Sequence, residues 1–277
     1  VPEPVELLRA TLADAFGHGL TSRYTSAFVA GNPFVVRQLQ QQYGVGADSI
    51  LCTTGATGAL SLLYRAFLGA GDRVLVENPG FDLFAGFGEA QHVGVDRFER
   101  NPLDFRLDPA RVAAALRPRT KLIVVSNLHN PSGALAGDVE IREIARIAAR
   151  AGAHLIVDEV YREYAPGAVR PSPAMTLADN AISVSSLTKI YGLSTLRCGW
   201  VAAHPGIVAR VRALHDEFEF GVSKLAHAVA ALVLENPAPY DAFHRASLDS
   251  TRPIIERVAR EWRDEGLVTG ALPAHGC

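Results

Sequence analysis

Four short stretches carry residue types that work together in acid–base and nucleophilic chemistry. They are Thr54-Gly55-Ala56-Thr57-Gly58, Ser126-Asn127-Leu128-His129-Asn130-Pro131-Ser132-Gly133, Asp158-Glu159-Val160-Tyr161 and Ser185-Ser186-Leu187-Thr188-Lys189. Each follows an apolar or β-branched run that reads as a strand. Ligands of open α/β sheets gather at the carboxyl ends of the strands, so the four stretches would bring a small-residue loop, an amide, a carboxylate with a phenol, and an amine to one place. In the first, small residues let the backbone approach an anion, the free N–H groups of a helix start point at it, and the Thr57 hydroxyl adds a bond. The same pattern also serves as an ordinary strand-to-helix turn. Likewise, Asn-Pro-Ser-Gly is good turn chemistry and an aspartate after a strand is a common helix cap. A dinucleotide site would need G-x-G-x-x-G after the first strand; it is absent, and Gly17-His18-Gly19 follows no strand.

Lysine usage narrows the chemistry, because the basic residues are 24 arginines and only three lysines, Lys121, Lys189 and Lys224. Lys121 begins a strand, at the wrong end of a sheet for a ligand site. Lys224 starts a helix beyond the last strand. Lys189 alone stands at a strand's carboxyl end, where a desolvated amine can form a Schiff base with an aldehyde, a role closed to arginine. The nine histidines form no spaced metal cluster, and no metal site is expected. His129 adjoins Asn130, where a structural role is expected rather than contact with substrate.

The elements that must position these residues alternate in a βα pattern, which predicts a mainly parallel sheet wrapped by helices. Seven strands are expected: Ile50 to Thr53, Arg73 to Glu77, Val93 to Arg97, Lys121 to Ser126, His154 to Asp158, Ala181 to Ser185 and Cys198 to Ala203. Helices are expected over Thr57 to Phe67 and over Val139 to Ala151, where Ile141, Ile144, Ala145 and Ala148 form one apolar stripe. Val5 to Phe16 and Phe34 to Tyr43 read as helices ahead of the first strand, and the chain after the last strand reads as helical to about Glu265. Pro166 to Pro173 reads as a surface loop.

Composition bounds the classes of function. The 277 residues are 48% hydrophobic and 20% charged, with 27 basic and 29 acidic side chains and a formal charge of −2. That excludes disorder and nucleic-acid binding by bulk charge. No apolar stretch reaches a membrane span; the best, Ala226 to Leu234, is short and holds His227. Three cysteines, Cys52, Cys198 and Cys277, with no C-x-x-C pair, argue against a disulfide framework and for a reducing, cytoplasmic setting.

Over about Tyr24 to Trp200 the chain resembles the class I/II aminotransferases, pyridoxal-phosphate enzymes of fold type I. The motifs are Gly55-Ala-Thr-Gly-Ala59, Asn130-Pro-Ser-Gly133, Asp158-Glu-Val-Tyr161, and Ser186-Leu-Thr-Lys189 followed by Arg197-Cys-Gly199. Asn130 and Asp158 stand 28 residues apart and Asp158 and Lys189 31 apart, in the family's order. The resemblance implies a three-layer α/β/α domain over residues 24–235. It also implies a smaller domain drawn from both chain ends, 1–23 and 236–277, which looks incomplete because a carboxy-terminal stretch bearing a substrate-carboxylate arginine is not found.

By the same resemblance, pyridoxal 5'-phosphate would be held by Lys189 as a Schiff base, with Lys189 also moving the proton at the substrate Cα. Asp158 would face the ring nitrogen, and Tyr161 and Asn130 the ring oxygen. Gly55, Ala56, Thr57, Ser186 and Arg197 would take the phosphate, and Phe81 would stack on the ring. Tyr24 resembles a tyrosine that reaches the partner subunit's phosphate in family homodimers, although Gly31 follows it by seven residues where five are usual. The activity implied is transfer of an amino group from an α-amino acid to a 2-oxo acid through a pyridoxamine phosphate form. Other reactions on the same scaffold (β-elimination, decarboxylation, a cyclisation in secondary metabolism) and an inactive binding relative are the alternatives.

Overall fold

The computed structural model describes residues 2–13, 20–25, 31–219, 221–270 and 272–275. Seven strands form one sheet: β1 (Ile50–Thr54), β2 (Arg73–Asn78), β3 (Gly94–Glu99), β4 (Thr120–Ser126), β5 (His154–Asp158), β6 (Ala181–Ser186) and β7 (Cys198–Ala202). Their order is β1-β7-β6-β5-β4-β2-β3. β3, β2, β4, β5 and β6 run parallel, while β7 is antiparallel to both neighbours. Each expected strand is present within two residues of its expected bounds. The double reversal at β7 has a consequence for the site. It puts the end of β1 and the start of β7 on the same edge as the carboxyl ends of β4, β5 and β6, as the pairs Thr54↔Cys198, Ser186↔Gly199 and Ser126↔Asp158 show.

Central strands such as Leu122–Val125 and Leu155–Val157 are apolar on both faces because both faces are covered. On one face lie α4 (Gly55–Phe67), α5 (Asp82–Ala90) and α9 (Pro205–Phe218), which bring Leu60, Leu63, Phe84 and Val208 onto Leu51, Val76, Ile156 and Val201. The opposite face is divided. α3 (Pro33–Tyr43) and α10 (Lys224–Glu235) cover β1 and β7, whereas α6 (Pro109–Ala115) and α7 (Asp138–Arg150) cover β4 and β5. The predicted stripe Ile141, Ile144, Ala145, Ala148 is the buried face of α7. The result is three layers, α/β/α.

Local chemistry sets the ends of these helices. Asn32 accepts from the Phe34 and Val35 N–H groups ahead of α3, Pro33 takes the first helical position, and Gly44 closes the helix in the left-handed region at φ 69°. The stretch Gly17 to Gly31 holds a short helix, α2 (Leu20–Thr25), and α1 is described over Val5–Ala13, with Phe16 outside the described residues. α1 also packs on the main body: Leu7, Leu8 and Leu12 lie against the cluster of α3 and α10, and Thr11 Oγ1 is 2.7 Å from Tyr240 Oη. After β7 the helical run is three helices, α9, α10 and the 27-residue α11 (Ala238–Asp264), broken by Ser223 and Pro237 as caps.

Candidate active site

At the shared sheet edge a cavity of about 100 Å³ is lined by Ala56, Thr57, Phe81, Asn130, Asp158, Tyr161, Ser186, Lys189 and Arg197. These are nine of the eleven residues singled out in the sequence. Ser126, Val160 and Thr188 complete the lining and were not singled out. Gly55 lies just outside, beneath Arg197. Tyr24 does not line the cavity of its own chain; it sits on α2 with 47% of its surface exposed.

One end of the cavity gathers groups that suit an anion. α4 begins at Gly55, so the N–H groups of its first turn have no partner within the helix. Arg197 stands opposite in a left-handed conformation, φ 44°, immediately before β7. The two approach only because glycines line the contact. A Cβ on Gly55 would lie 2.7 Å from Arg197 Nη2, and one on Gly199 would lie 2.3 Å from the Gly55 carbonyl carbon. Ser186, which ends β6, is buried beside this cradle.

The other end carries the acid and the amine. Asp158 ends β5 and is 6% exposed, with Oδ1 accepting from the Val160 N–H at 3.1 Å. Burial pushes its carboxyl up to about 7; the Val160 N–H and Lys189 oppose that, and the nearby Glu77 adds to it. Lys189 lies in the one-turn helix α8 (Leu187–Ile190), its ammonium 5.8 Å from the Tyr161 ring centroid. Tyr164 Oη donates to the Lys189 carbonyl at 3.0 Å and pins that turn. Phe81 forms an edge contact with Phe84, centroids 5.7 Å apart.

His129 is held at both ring nitrogens. Its Nε2 is 2.9 Å from the Pro79 carbonyl, so that nitrogen carries the proton, and Nδ1 accepts from Ser132 Oγ at 2.6 Å. Burial, with Arg100 nearby, lowers its pKa to about 4, which keeps the ring neutral. It ties the loop bearing Phe81 to the loop bearing Asn130. A buried pair behind the cavity, Glu77 and Arg100, escaped the sequence reading. Its one visible signal is a carboxylate near the end of an otherwise apolar strand, Arg73-Val-Leu-Val-Glu77. Lys121 and Lys224 lie elsewhere, in β4 and at the start of α10. Among the described residues no group of three or more His, Cys, Asp or Glu could hold a metal, and no helix is long and apolar enough to cross a membrane.

Comparison with known proteins gives a family and a fold. Residues 26–265 match the family model for aminotransferase class I and II. The chain is 28% identical over 236 residues to a histidinol-phosphate aminotransferase of Ruegeria pomeroyi, covering 83% of this chain and 61% of that protein. It is 27% identical over 227 residues to a probable N-succinyldiaminopimelate aminotransferase of Mycobacterium tuberculosis, covering 79% and 57%. The chain thus spans about three-fifths of the length of these relatives. In fold it is similar to Thermus thermophilus aspartate aminotransferase with maleate, with a TM-score of 0.87 at 22% identity, covering 98% of this chain and 72% of that one.

Proposed function

The chain belongs to the class I and II aminotransferases, and from that membership and the geometry of the cavity we propose that it uses pyridoxal 5'-phosphate to move the amino group of an α-amino acid to a 2-oxo acid. One observation carries the reading: a single lysine, one of three in the chain, shares a small cavity with a buried aspartate at one end and an anion cradle at the other. The donor set fits the group. The N–H groups of Ala56 and Thr57, the Ser186 hydroxyl and the Arg197 guanidinium suit a phosphate dianion, with Gly55 leaving room for Arg197. Asp158 suits a protonated ring nitrogen, Asn130 and Tyr161 suit a ring oxygen, and Phe81 offers an apolar face.

When bound, pyridoxal phosphate supplies an electron sink for the pair left at Cα. The chain's own residues do the rest. Lys189 would provide the amine that holds the aldehyde carbon and the base that carries the proton at the substrate Cα. Asp158 would hold a negative charge against the ring nitrogen, and Phe81 and Val160 would give the ring an apolar wall.

Borohydride reduction of the protein with pyridoxal phosphate, followed by peptide mapping, tests the assignment: the label is expected on Lys189 and lost in Lys189→Ala. Label on Lys121 or Lys224 overturns it. A panel of amino acids with keto-acid assay then separates transamination, which yields keto acid and an aminated cofactor, from elimination or decarboxylation. A homodimer is part of the reading, supported by Tyr24, which is exposed on α2 and does not line the cavity of its own chain. The free buried thiols Cys52 and Cys198 support a cytoplasmic setting.

A further inference from the structure

We propose that the buried Glu77–Arg100 pair is a positioning pair for this cavity: it fixes the Ser126 hydroxyl and, through it, the backbone of Asn130. The proposal rests on the reading that Asn130 faces the cofactor ring. Glu77 lies one residue before the end of β2 and Arg100 just after β3, and both side chains are fully buried. An ion pair so placed is weak evidence for stability, since a well-packed apolar pair of the same volume often serves a fold as well or better. What distinguishes this pair is where its hydrogen bonds go.

Arg100 donates to Glu77 Oε2 from Nε at 2.9 Å and from Nη2 at 2.7 Å, and Nη2 also donates to the Ser126 carbonyl at 3.0 Å. Nη1 donates to the Phe105 carbonyl at 3.0 Å. Glu77 Oε1, held by this grip, accepts both the Ser126 N–H at 2.9 Å and the Ser126 hydroxyl at 2.6 Å. A serine hydroxyl has one proton, and here Glu77 takes it. The lone pairs of Ser126 Oγ are therefore available to accept the Asn130 N–H at 3.0 Å. The chain from Arg100 to Asn130 has one consistent direction of donation, with Ser126 in the cavity lining. Glutamine at 77 breaks that direction, because its NH₂ must face the donors of either Arg100 or Ser126.

The test uses the whole chain in three variants. Ser126→Ala removes only the relay. Glu77→Gln misorients it. Glu77→Gln with Arg100→Met removes both charges and leaves the amide oxygen for Ser126. Without cofactor, hydrogen exchange at the Asn130 amide is expected to quicken about tenfold in Ser126→Ala and Glu77→Gln, the scale of one lost hydrogen bond, and to return towards the parent rate in the double variant. With pyridoxal phosphate, the first two variants should bind about tenfold more weakly and shift the pH midpoint of the visible lysine–cofactor band upward, with partial rescue in the double variant. A purely structural pair would lower Tm without moving either readout.

Folded Ser126→Ala with unchanged Asn130 exchange, or with unchanged affinity and midpoint, overturns the proposal. Should Glu77→Gln not fold, Ser126→Ala and the double variant still decide. Parent protein that takes up no pyridoxal phosphate yet shows the expected exchange pattern overturns the cofactor reading and leaves the positioning pair standing.

Discussion

Asp158 is held where an isolated carboxylate is least comfortable, and burial raises its pKa accordingly. An acid whose folded-state pKa is raised from 3.8 to about 7 stabilises the fold below its unfolded pKa and loses that contribution as pH rises through the folded value. The neighbouring Glu159 is raised to about 7 for the same first reason, burial. Cofactor-free protein should therefore lose stability between about pH 4 and pH 7, by an amount on the order of a few kcal/mol. Asp158→Asn, which cannot ionise, should melt higher than the parent at pH 8 and show a flatter pH dependence of Tm. The proposed chemistry should move the other way: without a negative charge at the ring nitrogen, turnover should fall about a thousandfold, the equivalent of about 4 kcal/mol. Melting curves across pH check the first half and single-turnover kinetics the second. A variant equally stable and equally active would remove Asp158 from the site.

Strand ends were legible because β4 and β5 carry apolar runs that stop at Ser126 and Asp158, and that pattern follows from burial on both faces. What lay beyond one-dimensional reading was the direction of β7 and the pairing of side chains far apart in sequence, such as Glu77 with Arg100 and Thr11 with Tyr240. α2 was missed because six residues give too little periodicity to count. The reversed β7 imposes a demand at the element scale: Gly199 must let its strand approach the start of α4. Gly199→Ala is expected to drive a methyl into the Gly55 backbone, open the anion cradle and cost about 1–3 kcal/mol or more. Gly58→Ala is a contrast within α4, since its Cβ would meet Thr54 and Glu219 at ordinary distances of 3.5 and 3.6 Å. It should be neutral or gain up to about 1 kcal/mol from helix propensity. Chemical denaturation and phosphate-competed cofactor binding on the two variants would separate a clash at the cradle from a general dislike of alanine.

At the scale of the molecule, the anion cradle belongs to the chain that carries Lys189, whereas Tyr24 stands exposed on α2, outside that cavity. The division into a core of residues 24–235 with flanking pieces 1–23 and 236–277 remains a proposal. α11 supports it, burying only Tyr240 and His244 near its start and exposing Ile254, Ile255 and Trp262 further on. If Tyr24 serves the neighbouring cavity in a homodimer, function must cross between chains, and a mixture of two defective variants tests that. In a hybrid of Lys189→Ala with Tyr24→Ala, one cavity carries both lesions and the other carries neither, because its lysine comes from one chain and its tyrosine from the second. At a pyridoxal phosphate concentration that Tyr24→Ala alone does not bind, co-refolded hybrids should regain borohydride-fixed cofactor, with up to half of the hybrid's cavities restored. If Tyr24 acts within its own chain, each cavity of the hybrid keeps one lesion and nothing is regained. Light scattering that finds only monomers, with cofactor bound at parent affinity, would end the dimer reading outright.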